Sequence, residues 1–126
     1  MNFENKVVWI TGASSGIGEA LAYTFAKRRA KLILSARRAD ELERVKKNCN
    51  LPEGDILVLP LDVAEHDKAE EATQKVLATF KHIDILINNA GLSHWSKIKD
   101  MSFDVLKRMM DVNFMGGAML TKAVLP

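Results

Sequence analysis

Four short apolar runs, at residues 6–11, 31–36, 56–60 and 83–88, alternate along the chain with stretches whose apolar residues recur at helical spacing. Each run is continuous rather than alternating, the pattern of strands covered on both faces in a parallel sheet. Between them, Ile17, Leu21 and Phe25 fall four residues apart, as do Ala72, Val76 and Phe80 below Ala69, so the first and third helices each have one apolar face turned to the sheet. The second helix, about 39–48, is charged, with Leu42 and Val45 as its inward residues, and the turn Pro52-Glu53-Gly54-Asp55 leads out of it. Residues 103–125 are apolar almost all round, which expects burial on more than one side. Gly116-Gly117 inside that segment costs about 1 kcal/mol per glycine relative to alanine, so the helix bends or ends there, or something packs close. The order βαβαβαβα implies a parallel sheet with right-handed crossovers and helices on its faces.

Composition narrows the function without naming it. A chain of 126 residues, 48% hydrophobic and 27% charged, is expected to form one domain. Its net charge of +2, from 18 basic and 16 acidic residues, gives no field that would argue for nucleic acid or an anionic membrane. The cluster Lys27, Arg28, Arg29 and Lys31 reads as a solvated helix end, where cations suit the dipole. Cys49 is alone, so no intrachain disulfide forms. The apolar run near the N-terminus is too short for a signal peptide or a membrane span. The expectation is therefore a soluble chain, with its compartment open. His66, His82 and His94 have no metal-ligand spacing, and no metal is expected.

The candidate chemistry begins where the first strand ends. Thr11-Gly12-Ala13-Ser14-Ser15-Gly16-Ile17-Gly18 lies between a strand and a helix, the context in which a glycine-rich turn holds a dinucleotide. Gly12 permits the tight exit, Gly16 lets the backbone approach a pyrophosphate, and Gly18 lets helix and sheet pack closely. The helix N-terminus offers unpaired N–H groups to phosphate. The second strand ends Ser35-Ala36-Arg37-Arg38, with no carboxylate where NAD would want an acceptor for its ribose 2′-hydroxyl. Arg37 or Arg38 instead suits the 2′-phosphate of NADP, which is favoured over NAD. The alternative is that both are ordinary solvated charges. Asp40 comes too late for the ribose and reads as a helix cap or first-turn acid.

The arrangement Gly-x-x-x-Gly-x-Gly, with Asp62-Val63, then Asn88-Asn89-Ala90-Gly91, then Asp111-Val112-Asn113 with Gly116 and Leu125-Pro126, resembles the short-chain dehydrogenase/reductase family over essentially all 126 residues. The resemblance implies a Rossmann-type doubly wound α/β sheet of four strands in the order 3-2-1-4, forming a dinucleotide-binding domain over 1–126 that stops before strand five. It also implies NADP-dependent hydride transfer between the nicotinamide and a small-molecule carbonyl or alcohol. Cofactor contacts would come from Gly12, Ser14, Ser15, Gly16, Ile17 and Gly18 in the turn, and from Arg37 and Arg38 after the second strand. Asp62 would accept from the adenine amino group beside the Val63 backbone, or else cap the third helix. Asn89, Ala90 and Gly91 would line the ribose side, with Val112 from the last helix. Asn113 would help hold a water in a proton relay, or satisfy broken helix bonds near Gly116. Ser93, His94 and Trp95 form a loop that touches substrate or is simply exposed.

Tyr23 and Lys27 make a Tyr-x-x-x-Lys pair, but they lie on the first helix, whereas the family's catalytic tyrosine and lysine project from a later one. Tyr23 is the only tyrosine, and no catalytic serine can be assigned. The 126-residue chain is therefore expected to bind NADP weakly or not at all and to show no turnover. The rival expectation is a non-catalytic NADP-binding or dimerisation module. Strand four would be an exposed apolar edge, and the 103–125 helix a route to a homo-oligomer.

Overall fold

The structure, a computed structural model, describes residues 2–92 and 96–125. Four parallel strands, β1 (Val7–Thr11), β2 (Lys31–Ser35), β3 (Ile56–Val58) and β4 (Ile85–Ile87), lie in the order β3-β2-β1-β4. The helices are α1 (Gly16–Lys27), α2 (Ala39–Cys49), α3 (Ala69–Phe80), α4 (Phe103–Met110) and α5 (Gly117–Val124), with a π-helical segment (Asp111–Gly116) joining the last two. This is the doubly wound Rossmann-type sheet expected from the alternating pattern, in the 3-2-1-4 order.

The continuous apolar strands have a direct cause. Successive side chains point to opposite faces, and each face is covered. Val8, Ile10, Leu32 and Leu34 pack under α1 and α2 with Ala22, Ala26, Leu42 and Val45. Val7, Trp9 and Ile33 pack on the other side against Ala72, Val76 and Phe80 of α3 and Leu120 of α5. The register sets Trp9 between Ile33 and Leu86, at the centre of the sheet. Its ring is fully buried, and its indole N–H donates to Ser35 Oγ at 2.9 Å, so the one polar atom of that side chain is satisfied.

Several boundaries differ from the pattern. β3 ends at Val58 rather than Pro60, and β4 begins at Ile85 rather than residue 83. Proline cannot donate to a ladder, although Leu59 N and Leu61 N on either side of it still reach Leu34 O and Ala36 O at 2.9 Å each. In α1, Ile17 does not face the sheet but is 72% exposed. The inward row is Gly18, Ala22 and Ala26, with Leu21 and Phe25 half-buried beside it. The helix lies so close to the sheet that only hydrogen or methyl side chains fit along its line of nearest approach.

The 103–125 segment also departs from expectation. Only Val112, Gly116 and Leu120 are buried in it, while Phe103, Met110 and Phe114 are more than half exposed. It does not stop at the glycine pair: the chain stays helical through it, π-helical from Asp111 to Gly116 and α-helical from Gly117. Close packing accounts for Gly116: a Cβ there would lie 2.8 Å from Val63 Cγ2 and 2.9 Å from the Val63 carbonyl oxygen.

β4 forms one edge of the sheet, and its residues are half-buried. The strand is tied in at its start by Asp84, whose Oδ2 accepts from Val7 N at 2.8 Å and faces His82 Nε2 at 3.0 Å. The Val7 N–H is the main cause holding the Asp84 carboxyl below its ordinary range, with lesser help from His82 and Lys6 against the opposing effect of burial. A depressed carboxylate stabilises the fold above its unfolded pKa, near 4, and that stabilisation is lost as pH falls through the lower folded value. Asp84→Asn is therefore expected to lower the melting temperature by a few degrees at pH 7. The gap from the parent should close on acidification below about pH 4 in a melting series. A gap independent of pH would contradict this account.

Candidate functional site

The carboxyl ends of the strands, where open α/β sheets bind ligands, surround a cleft of about 330 Å³. Most of the residues proposed from the sequence meet there. Gly12, Ser14 and Ser15 form one wall, Arg37 and Arg38 a second, Asp62 and Val63 a third, and Asn89, Ala90 and Gly91 the floor, with Val112 closing the far side. A neighbouring cleft of about 420 Å³ shares Arg37, Leu61 and Asp62 and continues along α3, where Lys68 and Lys75 each face the Glu71 carboxylate.

The glycine turn has the shape of a phosphate cradle. Gly16 takes φ of +55°, and a Cβ there would have no atom within 4 Å, so its open side faces solvent. Ser15 is the N-cap of α1 but makes no side-chain cap, which leaves the first-turn N–H groups available to an anion. Exposed Ile17 sits beside them. Gly18 lies beneath the turn rather than in the cleft: a Cβ on it would collide with the Gly12 carbonyl oxygen. These features fit a dinucleotide pyrophosphate.

The floor is held by a residue that sequence reasoning left without a role. Thr11, 2% exposed, accepts at Oγ1 from Asn89 N and Ala90 N, both at 3.0 Å, and its hydroxyl points to Ile87 O at 3.4 Å. One hydroxyl thereby uses both acceptor sites and its donor. Asn89 donates from Nδ2 to Gly12 O at 3.2 Å, tying the end of β4 to the glycine turn, and Asn88 donates to Thr121 Oγ1 at 2.9 Å. The position of Thr11 as last residue of the strand before the glycines was its only signal in the sequence.

The arginines differ from each other. Arg38 is drawn to Asp40 at 2.9 Å, and its guanidinium holds the exposed Asp40 carboxyl below its usual range. Asp40 is thus a first-turn acid rather than a cap. Arg37 lines the cleft and makes no ion pair among the described residues. Asp62 does not cap α3, the N-cap of which is Lys68. Its Oδ1 accepts from Ala64 N at 3.0 Å, closing a local turn, and Oδ2 meets Arg108 Nη1 at 3.1 Å. Arg108 escaped the sequence reading because nothing local links a charge on α4 to the end of β3.

Asn113 is exposed, yet both ends of its amide are used: Oδ1 accepts from Leu92 N at 2.7 Å and Nδ2 donates to Leu92 O at 2.9 Å. It does not repair helix bonds near Gly116, as one sequence reading had it, but clips the loop after β4 to the π turn. His66 adds a contact from the other side, Nε2 lying 3.2 Å from Asp111 O. Ser93, His94 and Trp95, read as a loop over the site, lie outside the described residues.

Tyr23 faces away from this cleft. Its hydroxyl donates to Glu19 Oε2 at 2.5 Å, and Arg44 binds the same carboxylate at 2.9 Å. Arg44 chiefly lowers the Glu19 pKa, while Glu19 raises that of Tyr23, the opposite of what a proton-exchanging phenol needs. Cys49, buried, is pushed up to about 11 by desolvation and is an unreactive thiol. Among the described residues no group of His, Cys, Asp or Glu assembles to hold a metal, and no helix is long and apolar enough to cross a membrane.

Comparison with known proteins places these features in context. A family model described as short chain dehydrogenase matches residues 6–126. Human dehydrogenase/reductase SDR family member 7 is 54% identical over 126 residues, covering 97% of this chain and 37% of its own length. The chain thus spans little more than a third of that relative. A glucose/ribitol dehydrogenase-type short-chain dehydrogenase/reductase from Brucella melitensis superimposes with a TM-score of 0.94 at 28% identity, over 100% of this chain and 53% of that one. An alcohol dehydrogenase from Thermococcus sibiricus, solved in complex with 5-hydroxy-NADP, gives a TM-score of 0.88 at 36% identity, over 94% of this chain and 51% of that one.

Proposed function

The chain belongs to the short-chain dehydrogenase family, and we propose that it forms the NADP-binding part of an oxidoreductase acting on a small-molecule carbonyl or alcohol. The observation that carries the cofactor choice is Arg37. It stands at the end of β2, without a carboxylate partner among the described residues, where NAD would require an acceptor for its 2′-hydroxyl. Bound here, NADP supplies a nicotinamide that exchanges hydride with the substrate carbon.

The chain's own residues bind and orient. The Gly12 to Gly18 turn and the first-turn N–H groups of α1 take the pyrophosphate, with Ser14 and Ser15 at its rim. Arg37, with Arg38 behind it, takes the 2′-phosphate. Asp62 and the Val63 backbone take the adenine, and Asn89, Ala90, Gly91 and Val112 the ribose side. Asn113 supports the proton relay by fixing the Leu92 segment. The complex in the Thermococcus sibiricus relative supports the same cofactor class for this chain.

Calorimetric titration of the native protein with NADP+ and NAD+ tests this. The expected result is at least about tenfold tighter binding of NADP+, from charge-assisted bonds to the phosphate. Arg37→Met should remove most of that preference while leaving NAD+ affinity little changed. Equal affinity for both cofactors in the parent protein would overturn the assignment.

A second reading has its own observation: Phe103, Met110 and Phe114 stand exposed along α4 and the π turn. A non-catalytic NADP-binding module that pairs with another copy through this row would use the same cleft and show no turnover.

A further inference from the structure

Arg108 is the one cation of α4 that reaches across to another element. Its neighbour Lys107 is satisfied on the same helix by Asp111 at 2.6 Å, whereas Arg108 crosses to Asp62 at the end of β3. Both partners are mostly covered, with side-chain exposures of 35% for Arg108 and 21% for Asp62, and both line the cleft. A guanidinium presents its donors in a rigid plane and fixes the orientation of the carboxylate it meets, which a lysine ammonium does not. Among the described residues the Asp62 carboxylate accepts one hydrogen bond, from Ala64 N on Oδ1, and Oδ2 faces Arg108 Nη1 at 3.1 Å as an ion pair. A carboxylate has about four acceptor sites, so capacity remains for a further donor from the cleft.

We propose that Arg108 is a positioning residue that aims Asp62 at the exocyclic amino group of adenine, making this ion pair a determinant of base selectivity. The inference rests on the cofactor reading above and adds a residue to it. Asp62 alone has only the short tether to Ala64 and is free to turn toward water. With Arg108 in place, the carboxylate is held from the α4 side, and Asp62 lines the cleft together with Arg37 and Val63. The pair also joins the adenine end of the cleft to the helix that carries Asn113.

The test uses two probes, NADP+ and its analogue in which hypoxanthine replaces adenine, so that the amino donor becomes a carbonyl acceptor. Calorimetry on the native protein should give about tenfold preference for the adenine form, the scale of one hydrogen bond to a charged group. Arg108→Met and Asp62→Ala should each bring that preference close to unity, and the double variant should add nothing. Binding of the hypoxanthine analogue should change by less than about twofold, because the pyrophosphate and 2′-phosphate contacts are untouched. Arg108→Lys should keep the charge but recover the preference only in part.

A merely structural role for Arg108 predicts that both probes weaken equally in Arg108→Met, and that result would overturn the inference. Retention of the tenfold preference would overturn it as well. Should Arg108→Met fail to fold by circular dichroism, Arg108→Lys decides by the same ratio, full preference counting against the inference. If the parent protein binds neither probe, the cofactor reading falls and takes this inference with it. If it binds both alike, the cofactor reading stands and only the role of the Asp62 and Arg108 pair is lost.

Discussion

Gly18→Ala is expected to destabilise the protein by about 3 kcal/mol, the upper end for overpacking, and to abolish nucleotide binding. The added methyl would fall on the Gly12 carbonyl oxygen and lie 2.6 Å from Asn89 Nδ2. Neither neighbour can yield cheaply. Gly12 O belongs to the backbone of the glycine turn and is itself the acceptor of the Asn89 side chain at 3.2 Å. The helix must therefore lift off the turn, separating α1 from β1 at the point where Ala22 and Ala26 continue the contact. For a chain of this size the loss corresponds to roughly 10 °C in melting temperature. Gly54→Ala is the control, since nothing lies within 4 Å of a Cβ there, and it should melt with the parent. Calorimetric melting of the two variants decides the matter. A Gly18→Ala protein that melts with the control would show that the close approach of helix and turn carries no energetic weight.

Thr11→Val should cost a comparable amount, about 3 kcal/mol, because it removes one acceptor from two backbone donors at once. Valine preserves the shape and the apolar contacts of a side chain that is 2% exposed. What it cannot do is accept from Asn89 N and Ala90 N, both 3.0 Å from the threonine oxygen. Among the described residues Thr11 Oγ1 is the acceptor these two amides use. Thr11→Ser keeps the oxygen and loses only a methyl, about 1 kcal/mol. Urea unfolding of the three proteins should thus rank parent, serine variant and valine variant in falling stability. Hydrogen exchange at residues 89 and 90 should accelerate only in the valine variant. Equal stability of the serine and valine variants would remove Thr11 from the account.

Both predictions concern contacts between the end of β1, the start of α1 and the end of β4, and they mark how far the chain can be read without its structure. The strands were legible because burial on both faces leaves no polar position in a run such as Val7 to Ile10. The glycine turn was legible because its chemistry is local, each glycine answering a demand set within a few residues. The inward row of α1 was misread. A four-residue period marks Ile17, Leu21 and Phe25 as readily as Gly18, Ala22 and Ala26, and only the closeness of the sheet favours the smaller set. The π turn was equally hidden, because the geometry that makes Gly116 necessary is supplied by Val63 on another element.

What the sequence determined by itself was the alternation of strands and helices, the glycine-rich turn, and the lack of an acidic residue after the second strand, all of which depend on neighbours along the chain. What only the tertiary structure decided was which polar groups meet across it. Thr11 receives the amides that follow β4, Asn113 clips Leu92, Arg38 is taken by Asp40 while Arg37 faces the cleft, and Arg108 crosses to Asp62. Such pairings require two segments distant in sequence to arrive at one distance and orientation. Hydrophobic periodicity carries the information for burial, which has no direction. Hydrogen bonds and ion pairs are directional, and their partners exist only once the sheet has brought its carboxyl ends together.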